Sequence, residues 1–382
     1  MLLPILLTLF FSTPSLAAAL VPLEIPINSG RPTFTYDLPA SIPGKIVMEE
    51  HVSTSLFQAA YTTPFENYTN EISYGTAAYI SDVATRLNVS SITDRVAQMD
   101  QANISISVVS LVPPGIQGIF NATLAVELAP QVNNEFAAGY KDSNFSSRFE
   151  FFCSVALIDP AAAAAEMDRC VHVLGGVGVM VGGYTNNGSV NDIIYLDDPS
   201  NDVFWEKLVE LNVPLYLHPR MPAPNQQRVY ADYPFLAGSP YGYSAETGAH
   251  ALRLMVSGVF DRFPSLQIIL GHCGEGLPFF LARIDQRFRH FRHADLWPAK
   301  QTMSHYWAHN FYTTTAGVQD DAALLDTLRV TGAERVMFSV DYPFEDDLEI
   351  ASWFDRLELN EETKQKIAYG NARSLLKLGK LE

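Results

Sequence analysis

The chain has 382 residues, of which 48% are hydrophobic and 18% are charged, a composition that excludes a disordered or fibrous protein and suits one large globular domain. Its formal net charge is −17, from 42 acidic and 25 basic residues. This charge repels nucleic-acid backbones and anionic membrane surfaces, so we expect no nucleic-acid partner and a small-molecule ligand instead.

The N-terminal residues have the features of a secretory signal peptide. An apolar stretch precedes small residues suited to cleavage, so we expect a signal peptide over residues 1–19 and an extended arm, rich in Pro and Ser, over residues 20–43. The stretch is too short to span a bilayer, so no stable membrane insertion is expected, although the lack of basic residues before it leaves a membrane anchor open. The expected destination is the secretory pathway, with the protein secreted or held in a vesicle or vacuole.

Two further sequence features bear on this destination. Six N-x-[ST] sequons are expected glycosylation sites: Asn67, Asn88, Asn103, Asn121, Asn144 and Asn187. Three cysteines are too few for a disulfide framework, and their apolar surroundings predict buried thiols for Cys153 and Cys170. Cys273 follows a candidate site histidine, where a thiol could make the protein sensitive to oxidation.

Strand-like and helix-like segments alternate from Gly44 to the end of the chain. Eight short apolar runs are typical of buried parallel strands, at residues 45–51, 104–112, 149–158, 176–181, 213–218, 266–272, 310–315 and 335–340. Between them, helical spacing occurs at residues 161–174, 201–211, 246–260, 277–291, 321–332 and 348–357, followed by a helix pair at 361–378. The pattern predicts a single-domain α/β protein, a (β/α)8 TIM barrel over residues 44–382, with a lid-like insertion after the first strand.

Ionisable side chains follow four of these strands, at the barrel end where active sites form. Glu49 and His51 lie two apart on the first strand, so they share a face and point into the barrel, while Glu50 points away. The fifth and eighth strands end near His218 and Asp341, and the sixth near His272. Two carboxylates and imidazoles at one spot predict a divalent metal site, for which Zn2+ and Mn2+ suit best and Mg2+ is also compatible.

Four strings around these residues resemble the amidohydrolase-2 family, especially its hydroxybenzoate decarboxylases. They are EEH at 49–51, YLHPR at 216–220, IILGHCGEGLPFFLARID at 268–285 and FSVDYPFED at 338–346, and the resemblance extends from about residue 45 to residue 378. It implies an amidohydrolase-like barrel with metal ligands Glu49, His51, His218 and Asp341. It places His272 near the metal with Glu275 as its partner, and Arg283 at the substrate end of the pocket, unless Arg283 forms a surface ion pair with Asp285 or Glu275.

The resemblance implies a metal-dependent carboxy-lyase that converts a salicylate-type acid, such as 6-methylsalicylate, orsellinate or 2,3-dihydroxybenzoate, to a phenol and CO2. We expect Asp341, or the pair His272 and Glu275, to protonate the ring carbon. Aromatic side chains near the barrel mouth are expected beside the substrate ring, namely Phe57, Tyr61, Phe65, Phe344 and, as a further candidate, Tyr342. Related enzymes form homodimers or homotetramers, which we expect here. Two alternatives remain: a metal-dependent hydrolase of a lactone or amide, and a non-catalytic secreted binding glycoprotein.

Overall fold

The structure, a computed structural model, describes residues 44–62, 76–291 and 297–379. The expected signal peptide, the N-terminal arm and Asn67 lie outside these residues, as does part of the expected lid. Among the helices within these ranges, none has the length and apolar character to cross a membrane.

Ten strands form a barrel and a small hairpin. They are β1 (Lys45–Val52), β2 (Ile104–Leu111), β3 (Phe149–Cys153), β4 (Gly178–Gly182), β5 (Thr185–Asn186), β6 (Ile193–Ile194), β7 (Leu215–His218), β8 (Ile268–Leu270), β9 (Phe311–Thr314) and β10 (Val336–Met337). Eight of them form one parallel sheet in the order β1-β2-β3-β4-β7-β8-β9-β10, and these coincide with the eight predicted apolar runs. The antiparallel hairpin β5–β6 was not predicted, because two-residue strands carry no periodicity.

The sheet closes into a barrel where β1 meets the segment after β10. The His51 amide donates to the Tyr342 carbonyl at 2.7 Å, and Glu50 bridges Tyr342 in parallel. The register of β1 against β2 is irregular between Val47 and Glu50. On the other side of β1, the Ser339 hydroxyl accepts from the amides of both Met48 (3.0 Å) and Glu49 (2.8 Å). A side chain thus replaces the regular backbone ladder at the point of closure. The predicted (β/α)8 fold is confirmed.

Helices surround the strands, and most predicted helical segments are present with bounds shifted by a few residues. They are α1 (Ser55–Thr62), α2 (Ala77–Arg86), α3 (Ile92–Ala102), α4 (Ala122–Phe136), α5 (Pro160–Arg169), α6 (Asp202–Leu211), α7 (Gly242–Val256), α8 (Val259–Arg262), α9 (His272–Glu275), α10 (Leu277–Phe291), α11 (Met303–Asn310), α12 (Asp321–Thr331), α13 (Asp347–Arg356), α14 (Glu361–Gln365) and α15 (Asn371–Leu375). Side-chain caps start several of them; Asp159, for example, accepts from the Ala162 amide at the start of α5.

The hydrophobic core has two layers, one outside the barrel strands and one inside the barrel. The outer layer packs the strands against the helices. The inner layer fills the barrel with side chains such as Met48, Phe152 and Tyr216, and Ala372 and Leu376 pack against it. Polar side chains, in contrast, lie at the carboxyl ends of the strands, where active sites of such barrels form.

The prediction of two free thiols in the first half of the chain is wrong. Cys153, the last residue of β3, forms a disulfide with Cys170 at the end of α5, and both are buried. The bond ties a strand to the helix that follows it, across 17 residues of sequence. For a loop of this length the constraint on the unfolded chain contributes about 3 kcal/mol to stability. Sequence spacing alone could not show this, since only the fold brings the two sulfurs together.

Candidate metal centre

Four side chains from three strand ends converge at the carboxyl end of the barrel. Glu49 and His51 come from β1, His218 is the last residue of β7, and Asp341 follows β10. One ligand atom from each lies within 4.8 Å of all the others. The His218 Nε2 atom is 2.9 Å from Glu49 Oε1, and the His51 Nε2 atom is 3.3 Å from Asp341 Oδ1. These are the four residues that the family resemblance implied as metal ligands.

The same four atoms lack hydrogen-bond partners. Within the described ranges, Glu49 Oε1, His51 Nε2, His218 Nε2 and Asp341 Oδ1 are all buried and make no hydrogen bond. A buried polar atom without a partner costs about 1–3 kcal/mol, so four at one spot need a common partner. Two carboxylate oxygens and two imidazole nitrogens suit a divalent cation such as Zn2+ or Mn2+. The residues present therefore fit a resident metal ion.

Neighbouring groups orient three of these ligands. The Tyr216 hydroxyl donates to Glu49 Oε2, which leaves Oε1 for the cation, and also lies 3.0 Å from the Thr314 hydroxyl. The Pro219 carbonyl lies 2.7 Å from His218 Nδ1, so a proton on Nδ1 leaves the Nε2 lone pair free. The Ser110 hydroxyl lies 3.4 Å from His51 Nδ1. Such contacts fix ring orientation and tautomer before a metal binds.

Sequence reasoning did not identify Tyr216 as a site residue, although a signal for it existed. Tyr216 lies two residues before His218 on β7, so the alternation of side chains along a strand places both on the same face. A tyrosine pointing into a barrel needs a partner for its hydroxyl, and the Glu49 carboxylate supplies one. Ser110 carried no comparable signal, because hydroxyl groups are common at strand ends.

His272 lies beside the four ligands with Glu275 as its partner. Its Nδ1 atom is 2.7 Å from Glu275 Oε1, and its Nε2 atom is 3.7 Å from both Glu49 Oε1 and Asp341 Oδ2. Glu275 is buried, which strengthens its charge on the imidazole. The histidine thus faces the candidate metal site with one nitrogen and its orienting carboxylate with the other.

The surroundings of the site shift the pKa values of His272 and Asp341 in opposite directions. Burial alone would lower the pKa of His272, but the charges of Glu275 and Glu49 outweigh it and hold that pKa well above its usual value. Burial alone would raise the pKa of Asp341, but the nearby imidazoles of His272 and His51 bring that pKa down to about 2. From the protein groups alone, the pKa of Asp341 therefore lies well below neutral pH, whereas that of His272 lies above its usual value.

Backbone strain is concentrated at the same place. In the described part of the chain seven non-glycine residues have positive φ, and four of them belong to the site: His272 (49°), Cys273 (54°), Glu275 (56°) and Asp341 (82°). Positive φ is costly for residues with a side chain and persists where the surrounding structure enforces it. Here the enforced turns aim the imidazole of His272 and the carboxylate of Asp341 at one point.

The structure gives mixed outcomes for the other predicted site residues. The Phe344 ring lies 5.7 Å from the His51 ring, and its predicted contact with the substrate stays a prediction. Tyr342, in contrast, is buried. Its ring stacks under the Arg95 guanidinium at 4.2 Å, so it does not line the pocket. Burial raises the pKa of Cys273 to about 11, so little thiolate forms at neutral pH. This argues against the expected sensitivity to oxidation, because the thiolate is the reactive form.

Arg283 is exposed on α10, away from the buried ligands, and its predicted substrate contact stays a prediction. The alternative, an ion pair with Asp285 or Glu275, is wrong. Asp285 accepts from the amides of Met303 and Ser304, and the Glu275 carboxylate pairs with His272. Both carboxylates are thus already engaged elsewhere.

Comparisons with known proteins agree with this site. A family model described as Amidohydrolase matches residues 68–378. Gamma-resorcylate decarboxylase of Polaromonas sp. (strain JS666) is 37% identical over 339 residues, 88% of this chain and 99% of that protein. Decarboxylase orsB of Emericella nidulans is 34% identical over 349 residues, 88% of this chain and 98% of that protein. A crystal structure of dihydroxybenzoic acid decarboxylase from Polaromonas sp. JS666, with bound manganese and the inhibitor 2-nitroresorcinol, matches with a TM-score of 0.82 and 36% identity, covering 89% of this chain and 98% of that chain.

A glycine substitution tests the metal site. A Cβ atom on Gly271 would lie 2.5 Å from Glu49 Oε2, while its φ of −72° suits any residue. We expect Gly271→Ala to displace the Glu49 carboxylate and to weaken Mn2+ binding by about tenfold or more, as measured by equilibrium dialysis. Gly379→Ala, where nothing lies within 4 Å of the added Cβ, is the control. Unchanged affinity in Gly271→Ala would contradict the assignment of Glu49 as a ligand.

Proposed function

The chain belongs to the amidohydrolase family, and from this premise we propose that it catalyses the metal-dependent, non-oxidative decarboxylation of a hydroxylated benzoic acid to a phenol and CO2. The observation that carries the proposal is the quartet of buried, unpartnered ligand atoms with His272 beside it. The similar proteins from Polaromonas and Emericella are decarboxylases and match nearly their full length. The hydrolase and binding-glycoprotein alternatives are not favoured by these similarities.

We propose Mn2+ as the resident ion, with Glu49, His51, His218 and Asp341 as its ligands; the same atoms also suit Zn2+. When bound, a divalent cation supplies positive charge that fixes the substrate carboxylate and its ortho-hydroxyl in one orientation. The Polaromonas structure holds manganese together with a nitro-substituted resorcinol, which supports this choice.

His272 holds the proton that the reaction needs. Breaking the bond between the ring and the carboxylate leaves its electron pair on the ring carbon, so that carbon must first accept a proton. His272 Nε2 carries this proton, and Glu275 stabilises the imidazolium through Nδ1. Asp341 Oδ2, 3.7 Å from His272 Nε2, relays the proton to the ring carbon. CO2 then departs as the electron pair of the broken bond restores aromaticity.

The substrates that we propose share a hydroxyl group ortho to the carboxylate. They include 2,6-dihydroxybenzoate, 2,3-dihydroxybenzoate, orsellinate and 6-methylsalicylate. The partly buried Phe344 ring beside His51 offers a flat apolar surface for such an aromatic ring. A hydroxyl in the ortho position allows the acid to present two oxygens to one cation, which a para-hydroxyl does not.

Incubation of the purified, Mn2+-loaded protein with a panel of hydroxybenzoates tests this function. We expect CO2 and the matching phenol from ortho-hydroxy acids and none from 4-hydroxybenzoate. Asp341→Asn should lower turnover by at least about 100-fold, because it removes both a ligand charge and the relay oxygen. Near-normal turnover by this variant, or a ring-opened acid without CO2, would overturn the proposal.

We also propose that the protein matures in the secretory pathway and is glycosylated there. The N-terminal apolar stretch, the disulfide between Cys153 and Cys170, and the surface positions of the sequons support this. The five sequon asparagines within the described ranges, Asn88, Asn103, Asn121, Asn144 and Asn187, are exposed. Expression in a eukaryotic host should give a secreted or vesicular protein whose mass falls on N-glycosidase treatment. An intracellular protein of unmodified mass would count against this destination.

A homodimer or homotetramer is the proposed assembly. Phe279 and Phe280 lie side by side on α10, with 75% and 50% of their surfaces exposed and their rings 5.3 Å apart. Neighbouring exposed aromatic side chains are typical of a surface that a partner covers. Sedimentation analysis should give at least twice the monomer mass, and Phe279→Ser should shift the population toward monomer. A monomeric wild-type protein at micromolar concentration would contradict the proposal.

A further inference from the structure

A buried arginine outside the barrel contacts both chain segments that meet where the barrel closes. Arg95, in α3, is only 2% exposed. Its Nη2 atom donates to the backbone carbonyl of His51 at 2.6 Å, and its guanidinium lies 4.2 Å from the centre of the Tyr342 ring. His51 is a metal ligand and Tyr342 follows the metal ligand Asp341. One side chain therefore touches the backbone of one ligand and the neighbour of another.

These two segments need such a contact because the backbone ladder between them is incomplete. Strand β10 ends at Met337, before Asp341, and in the described part of the chain the two segments are paired by an isolated bridge between Glu50 and Tyr342. The His51 amide donates to the Tyr342 carbonyl, and side-chain bonds from Ser339 replace regular pairing nearby. Three of the four ligands, Glu49, His51 and Asp341, lie on these two segments. A slight shift between the segments would change the spacing of the ligand atoms.

The surroundings of Arg95 are suited to hold a buried guanidinium in place. The Glu50 carboxyl, 2% exposed, accepts from the Ser339 hydroxyl and the Val340 amide, and burial raises its pKa although the charge of Arg95 acts in the opposite direction. Arg86 lies 5.3 Å from the Tyr342 ring and adds a second cation–aromatic contact. A planar guanidinium can stack on a ring and donate in its own plane at once, which a lysine ammonium cannot.

We infer that Arg95 is a positioning residue of the metal site: it holds β1 and the segment that follows β10 at the spacing that brings Glu49, His51 and Asp341 onto one cation. It acts from outside the barrel and touches neither the cation nor the substrate. This inference rests on the proposed function only in requiring that the wild-type protein bind a divalent metal.

Mn2+ affinity, measured by equilibrium dialysis and by electron paramagnetic resonance of the bound ion, tests the inference. We expect Arg95→Met to weaken Mn2+ binding by about 10- to 100-fold and to alter the spectrum of the ion that still binds. Arg95→Lys should recover part of the affinity, because it keeps the charge and loses the stacked, in-plane geometry. Tyr342→Leu removes the aromatic ring under Arg95 and should also weaken Mn2+ binding. This variant replaces Arg95→Met as the test if Arg95→Met does not fold.

Arg148→Met is the matched control. Arg148 also donates to strand carbonyls, those of Ile104 and Ser105, but at the start of β2, the opposite end of the barrel. The Arg148→Met variant should have a lower melting temperature and an unchanged Mn2+ affinity. If Arg95→Met and Tyr342→Leu lose melting temperature but keep wild-type Mn2+ affinity, Arg95 is a structural residue and the inference is wrong. If the wild-type protein binds no divalent metal, the proposed function itself fails.

Discussion

Two carboxylates and two imidazoles share a buried site in which one divalent cation can satisfy all of their free atoms at once. Glu49 and Asp341 would repel each other there, and the lone pairs of His51 and His218 point at the same spot. The backbone around this site has positive φ values at Asp341 and around His272, and these conformations are unfavourable in free energy for residues with a side chain. A bound divalent ion offsets that cost, so the architecture of the barrel end is best understood as a preformed metal site.

The barrel contributes rigidity in a particular way. Seven of its eight junctions are parallel backbone ladders, but the closure between β1 and the chain after β10 depends on single contacts involving Ser339, Tyr342 and Arg95. That junction is where three ligands lie. Side-chain contacts take the place of the ladder there, and β1 also shifts register against β2 beside Glu49. The least regular part of the sheet is therefore the part that carries chemistry.

The proposed proton donor lies next to the proposed metal ligands. His272 pairs with Glu275 at one nitrogen and faces Glu49 and Asp341 with the other. The charges that raise the pKa of His272 are first that of Glu275, which is not a proposed ligand, and then that of Glu49, which is. A decarboxylase needs both at one place, since the substrate must be fixed and its ring carbon protonated.

The sequence alone determined the alternation of strands and helices, and hence the barrel, because buried parallel strands and amphipathic helices have distinct periodicities. It also determined which residues stand at strand ends, so Glu49, His51, His218, His272 and Asp341 could be named in advance. Only the tertiary structure decided which distant groups meet: the disulfide between Cys153 and Cys170, the Tyr216 hydroxyl on Glu49, and Tyr342 under Arg95 instead of in the pocket. Those contacts join residues that are separated in the sequence, and a local sequence pattern does not show which separated residues become neighbours in the fold.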